Sequence, residues 1–243
     1  MSLSHSTKPP SRLVLEVIAT SEADARAAEA GGADRLELVA DLARGGMTPA
    51  LDLIDAVGSA VTIPVRVMIR STESHEIVDN AMRRQLLLAA DAVAGRGVDG
   101  LVCGFLRDGM PDLELIAEVA DAARGVPLTF HRAFDDAVDH AVALERLARV
   151  DAIDRVLTSG GHGEWPDRLT RLARWAQQGR PLVLAGGGIT LANLVALSRI
   201  SGLREVHIGR AARAGELVSA PVESARVATF VTALDRLTHT DRD

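Results

Sequence analysis

Short runs rich in Val, Ile and Leu recur along the chain, and between them lie longer Ala- and Leu-rich stretches. Such alternation is the pattern of parallel strands, buried on both faces and joined by crossover helices. The runs are LVLEVI, RLELVA, PVRVMIR, DGLVCGF, VPLTFHR, DRVLTSG, PLVLAGGG and REVHIG, which predicts eight strands. The stretches between them carry helix signals. TSEADARAAEAGG opens on Ser21 as an N-cap, has acids in its first turn and stops at Gly31. TPALDLIDAVGSA puts Thr48 at the cap and Pro49 at the first helical position. One long helix fits between Arg70 and Asp99, and Thr190 is the expected cap of TLANLVALSRISG.

Eight alternating units in 243 residues without a long polar linker predict one α/β domain, a single (β/α)8 TIM barrel. An open doubly wound sheet is the competing arrangement, and it would need a reversal of strand order. The barrel is assigned to residues 12–243, and residues 1–11 are read as a flexible N-terminal arm. LEV and LEL, at 15–17 and 36–38, put Glu16 and Glu37 at matching points of successive units.

In such a barrel the chemistry gathers where the C-terminal ends of the strands meet. Most strand ends here turn polar after an apolar start: Glu16, Glu37, Arg70, His131 with Arg132, Thr158 with Ser159, and His207 with Arg210. A salt bridge inside the mouth, for instance Glu37 with Arg70, would account for one such residue. Several ionisable groups at the ends of different strands point instead to a pocket, because unpaired buried charge is costly. Glu16, Glu37 and His131 are therefore the candidates for proton transfer, imidazole being the group that titrates near neutrality. Arg70, Arg132, Ser159, His207 and Arg210 are the candidates for holding a ligand. Gly186, Gly187 and Gly188 follow the seventh predicted strand, where barrels often bind phosphate through free backbone N–H groups. His75, His140, His162 and His239 read as surface residues of helices or loops, and Cys103 as a small buried hydrophobe.

Composition narrows the function classes. A net charge of −6 and 2% aromatic residues, with no tyrosine, argue against a nucleic-acid partner, and none is expected. No run is long and apolar enough to span a bilayer, so no membrane partner is expected. The single cysteine allows neither an internal disulfide nor a cysteine-based zinc cluster. Lys8, in the arm, is the only lysine, which leaves the barrel no amine for a Schiff base.

Taken together, GGADRLEL, GGMTP, IPVRVMIR, DGLVCG, TFHRAFDD, RVLTSGG, LAGGGIT followed by Asn193, and EVH resemble the CutC copper-homeostasis family over roughly residues 13–210. The resemblance implies a TIM barrel, a cytoplasmic location and a link to copper. In relatives proposed to bind copper, a cysteine often follows LEV and another LEL. Ile18 and Val39 hold those places here, and aliphatic side chains cannot ligate Cu(I). The two-cysteine copper site is thus absent, and no metal ligand or cofactor is assigned. STESHEI also replaces the Pro-, Arg- and Gly-rich loop that many relatives have after the position of Arg70.

The expected partner is a small anionic molecule in the barrel mouth, alongside self-association through the outer helices. The alternative is a metal-independent isomerase, epimerase or lyase acting on a small phosphorylated or carboxylated substrate, with Glu37 or His131 as base and Arg70 or Arg132 holding the anion. A third reading is a hard-metal or Cu(II) site of His131, His207 and a glutamate.

Overall fold

The computed structural model describes residues 12–240, and side chains as far as residue 238. The segment expected to be a flexible arm, residues 1–11, lies outside the described residues. Eight parallel strands close into a barrel: β1 Val14–Ala19, β2 Arg35–Leu38, β3 Val65–Met68, β4 Gly100–Cys103, β5 Leu128–Phe130, β6 Ile153–Thr158, β7 Leu182–Ala185 and β8 Glu205–Ile208. They pair in sequence order, and β1 closes on β8 with Glu16 opposite His207. The helices are α1 Glu22–Ala30, α2 Leu51–Ala60, α3 Asn80–Ala94, α4 Leu113–Ala122, α5 His140–Leu147, α6 Trp165–Ala176, α7 Leu191–Ser198 and α8 Ser224–Thr240. A short hairpin, Leu106–Arg107 with Met110–Pro111, follows β4 and was not anticipated.

Most caps follow the sequence. The Ser21 hydroxyl accepts from Asp24 N, and the side chain of Asn193 accepts from Thr190 N at the start of α7. Thr48 does not cap α2, whose N-cap is Ala50. Its hydroxyl instead accepts from Arg70 N and donates to Arg70 O, tying the β2 loop to the end of β3.

The main core lies between barrel and helices, where Leu15, Val17, Leu36, Leu38, Leu101, Phe130 and Val156 are fully buried. The barrel interior has a different character. Ile18, Val39, Met68 and Val102 form a separate small apolar cluster towards the mouth. Below it runs a chain of charges. Arg66 bonds Thr129 and Asp154, and Asp154 pairs with Arg155. Arg155 and Arg35 both bond Glu205, and Arg35 Nε donates to Glu16 at 2.5 Å. Three guanidinium groups thus face three carboxylates, so little net charge is left in the barrel floor.

Candidate functional site

Glu16, Glu37 and His207 are not at strand ends, as the polar pattern suggested; they lie within β1, β2 and β8 and turn into the barrel. The matching positions of Glu16 and Glu37 are also not at one level. Glu16 is in register with Arg35, and Glu37 with Ile18, which sets Glu37 one pleat nearer the mouth. A cavity of about 820 Å³ opens there, within the size range of small-molecule clefts. Glu37, Arg70, His131, Arg132, Ser159, Gly187, Gly188, His207 and Arg210 line it. Glu16 and Gly186 do not. Glu16 sits beneath, 1% exposed, and a side chain at Gly186 would run into Leu157.

The buried acids and imidazoles divide into two groups. Burial raises the pKa of Glu16, but the Arg35 charge and the hydrogen bond and charge of His207 outweigh that and hold it well below the carboxylate range. A carboxylate only accepts, so His207 Nδ1–H donates to Glu16 Oε1, at 2.8 Å. The other ring nitrogen is 3.7 Å from Glu37 Oε2. For Glu37, burial comes first, and the negative charge of Glu16 adds to it. Together they exceed the pull of His207 and push its pKa up to about 7. Burial would lower the pKa of His207, but the two glutamates more than reverse it, so this histidine is raised. Since the floor is balanced, the Glu37–His207 pair is where charge can change near neutral pH.

On the opposite wall His131 follows β5. Its Nδ1 accepts from Ala133 N at 3.1 Å, which makes Nε2 the protonated nitrogen of the neutral ring. Burial, then the charges of His75, Arg70 and Arg132, keep its pKa well below 6.5. Its Nε2 donor and Glu37 Oε1 are both buried without a partner among the described residues. Gly104 makes room for the ring, because a Cβ there would overlap the imidazole. His75 is not the surface residue expected. It lines the same cavity with its ring centroid 5.2 Å from that of His131, and its Nε2 is 3.3 Å from Asp136. His162 lines the cavity too, but on its exposed rim, and His140 packs against Phe134 and Trp175. The side chain of His239 is outside the described residues.

Arg70 spends its donors on the carbonyls of Gly45, Thr72 and Glu73, so it closes two loops, and it forms no pair with Glu37. Arg132 is over half exposed and pairs with Asp135. Arg210 is exposed, with no side-chain partner among the described residues. The N–H groups of Gly187, Gly188 and Ile189 likewise donate to no acceptor there. Gly187 and Gly188 have φ of +74° and +90°, the left-handed region in which glycine alone is unstrained.

Residue-by-residue reading missed Asp135, which accepts from Thr158 Oγ1, Ser159 N and Gly161 N and so shapes the β6 loop. It also missed Arg168, which bonds Ser159 O and Gly187 O and ties that loop to the next. The second aspartate of FHRAFDD is a surface group, but the first was a visible signal. Cys103 is buried away from the cavity in the outer core, where burial pushes its thiol up to about 12. Among the described residues no three His, Cys, Asp or Glu side chains converge to hold a metal ion, so His131, His207 and a glutamate do not form the third arrangement considered.

Fold and site together define a (β/α)8 barrel with an ionisable, partly cationic mouth. The CutC family pattern matches residues 13–212, and the chain belongs to that family. It is 40% identical over 199 residues to the human copper homeostasis protein cutC homolog, spanning 80% of this chain and 72% of the relative. A CutC family protein of Mesorhizobium japonicum is 39% identical over 184 residues, 74% of this chain and 71% of its own. The solved CutC structure from Streptococcus agalactiae superposes with a TM-score of 0.74 at 24% identity, covering 81% of this chain and 98% of that one. A 4-hydroxy-2-oxoglutarate aldolase, with a TM-score of 0.58 at 20% identity and 94% and 96% coverage, shares the fold.

Proposed function

We propose that the barrel mouth binds a small anionic molecule, with a phosphate group as the anion. The observation that carries this reading is the cradle formed after β7 and β8: three N–H groups at Gly187 to Ile189 and an Arg210 side chain that have no partner among the described residues, beside an exposed Arg132. Backbone donors in a glycine loop leading into a helix, together with permanent positive charge, suit a phosphate oxygen cluster. The human relative's name connects it to copper homeostasis. In this chain the positions expected for thiolates are Ile18 and Val39, which pack with Met68 and Val102. That cluster offers one thioether and no thiolate, which favours the anion over Cu(I) as the ligand of the mouth.

A bound anion stabilises only the folded protein, by about 2.7 kcal/mol at 100 times its dissociation constant. Phosphate should therefore raise the melting temperature above that in chloride of equal ionic strength. Gly188→Asp should abolish the rise. Position 188 is the better site for this change than 187, because a Cβ at 188 meets nothing within 4 Å whereas one at 187 would lie 2.7 Å from Ser159 Cβ. A folded Gly188→Asp protein that still responds as the parent does would refute the placement.

A second reading is favoured by Glu37 Oε1 and His131 Nε2, both without a partner among the described residues. A neutral imidazole N–H can polarise a substrate carbonyl while a carboxylate with a pKa of about 7 takes the proton from the adjacent carbon. This is the chemistry of an isomerase, epimerase or lyase, and it uses neither a lysine nor a metal. Sugar phosphates incubated with the protein in D2O should acquire deuterium beside the carbonyl, read by NMR. With Glu37→Gln the exchange should fall by at least about 100-fold. Exchange that survives this change would remove Glu37 from the role.

A further inference from the structure

The mouth does not end at the anion cradle. A side pocket of about 300 Å³ adjoins it, between the start of α7 and the first two turns of α8. Thr190, Ala211 and Glu216 line both spaces, so the two lie side by side there. Thr190 directly follows the N–H groups of Gly187 to Ile189, and Ala211 directly follows Arg210. The side pocket therefore lies next to both arms of the cradle, within reach of the organic part of a phosphate ester held there.

The walls of this side pocket specify what it can take. Glu216 and Arg226, its charged residues, pair with each other at 3.1 Å, and Arg226 Nε donates to Ala211 O. The Thr229 hydroxyl donates to Ala225 O in its own helix. With its charges and this hydroxyl engaged, Leu191, Ala192, Ala211 and Phe230 supply apolar surface. Leu191 is 43% exposed beside this apolar wall. A cavity of about 150 Å³ suffices for a benzene ring. We infer that the ligand of the mouth is a phosphate monoester whose organic part is an uncharged, ring-sized apolar group, seated in this side pocket. The inference rests on the anion reading above and names the class of molecule that carries the phosphate.

Methyl phosphate and phenyl phosphate separate the two claims, since both carry the same anionic head. Titration calorimetry should show phenyl phosphate binding about tenfold or more tightly than methyl phosphate, the factor expected from burying most of an aromatic ring. Thr229→Trp and, separately, Ala192→Trp fill the side pocket from exposed helix positions. Each should bring phenyl phosphate to within about twofold of methyl phosphate while leaving the latter unchanged. Circular dichroism checks that both variants fold. If methyl phosphate binds and phenyl phosphate binds no better, the apolar arm is wrong and the anion cradle stands. A phenyl advantage that survives both tryptophans also overturns the inference, because the ring then lies elsewhere. Failure of both esters to bind the parent protein defeats the anion reading itself, and the inference falls with it.

Discussion

Glu37 shows how much one buried group can depend on its neighbours. Its carboxyl titrates near 7 in the folded protein against 4.5 in an unfolded chain, so the folded state holds the extra proton between those values. Stability from this group is complete below about pH 4.5 and is lost as pH rises towards about 7, with a slope of up to about 1.4 kcal/mol per pH unit. The raised His207 acts in the same direction, since its contribution also disappears as pH rises through its folded pKa. Urea denaturation at a series of pH values should show Glu37→Gln with a flatter profile than the parent over this window. A parent profile that rises towards pH 7 and is unaltered by the substitution would contradict the shift. Neither position announces this in the sequence, where Glu16 and Glu37 look equivalent; the register that sets Glu16 between Arg35 and His207, and Glu37 opposite Ile18, is what makes one an ion and the other a proton carrier.

Among the elements, the loop after β6 is the clearest case of a site built by a residue with no ligand role of its own. Asp135 is 3% exposed and takes three donors from Thr158, Ser159 and Gly161. Asp135→Ala leaves these buried donors unpaired, at a cost of about 3 kcal/mol or more by denaturant titration. It should also weaken phosphate binding, because Arg132 loses the partner that orients it. The eight strands were legible because they are short, apolar and regularly spaced, and the helices because most carry their caps in the sequence. Thr48 failed as a cap signal for a physical reason: its hydroxyl serves the backbone of Arg70, a tertiary partner that local pattern does not contain. The same holds for Arg70, whose donors go to loop carbonyls, and for His75, which reaches the cavity from an irregular segment.

For the whole molecule, the buried chain of charges is the feature most open to test. Arg35 joins Glu16 to Glu205, so Arg35→Met leaves two buried carboxylates short of a partner and should destabilise by about 3–5 kcal/mol. Adding Glu16→Gln should restore part of the loss; strictly additive effects of the two changes would mean the chain is not coupled. Alternation alone put Arg35 with Glu37 and Glu205 with His207 on common strand faces, so the polar interior could have been read from β2 and β8. What could not be read is which charge meets which, since Arg66–Asp154, Arg155–Glu205 and Arg35–Glu205 each join strands that are not consecutive in the chain. Closure of the barrel also has a consequence in time. Glu16 and His207 are 191 positions apart, and a ribosome adding about 5–20 residues per second takes roughly 10–40 s to go from one to the other. Until β8 has emerged, Glu16 has no histidine, Arg35 lacks Glu205 and β1 presents a bare edge. A nascent chain therefore carries its site in halves, and a product stopped short of Glu205 would be a ligand-silent, edge-exposed fragment for the cell's proteases.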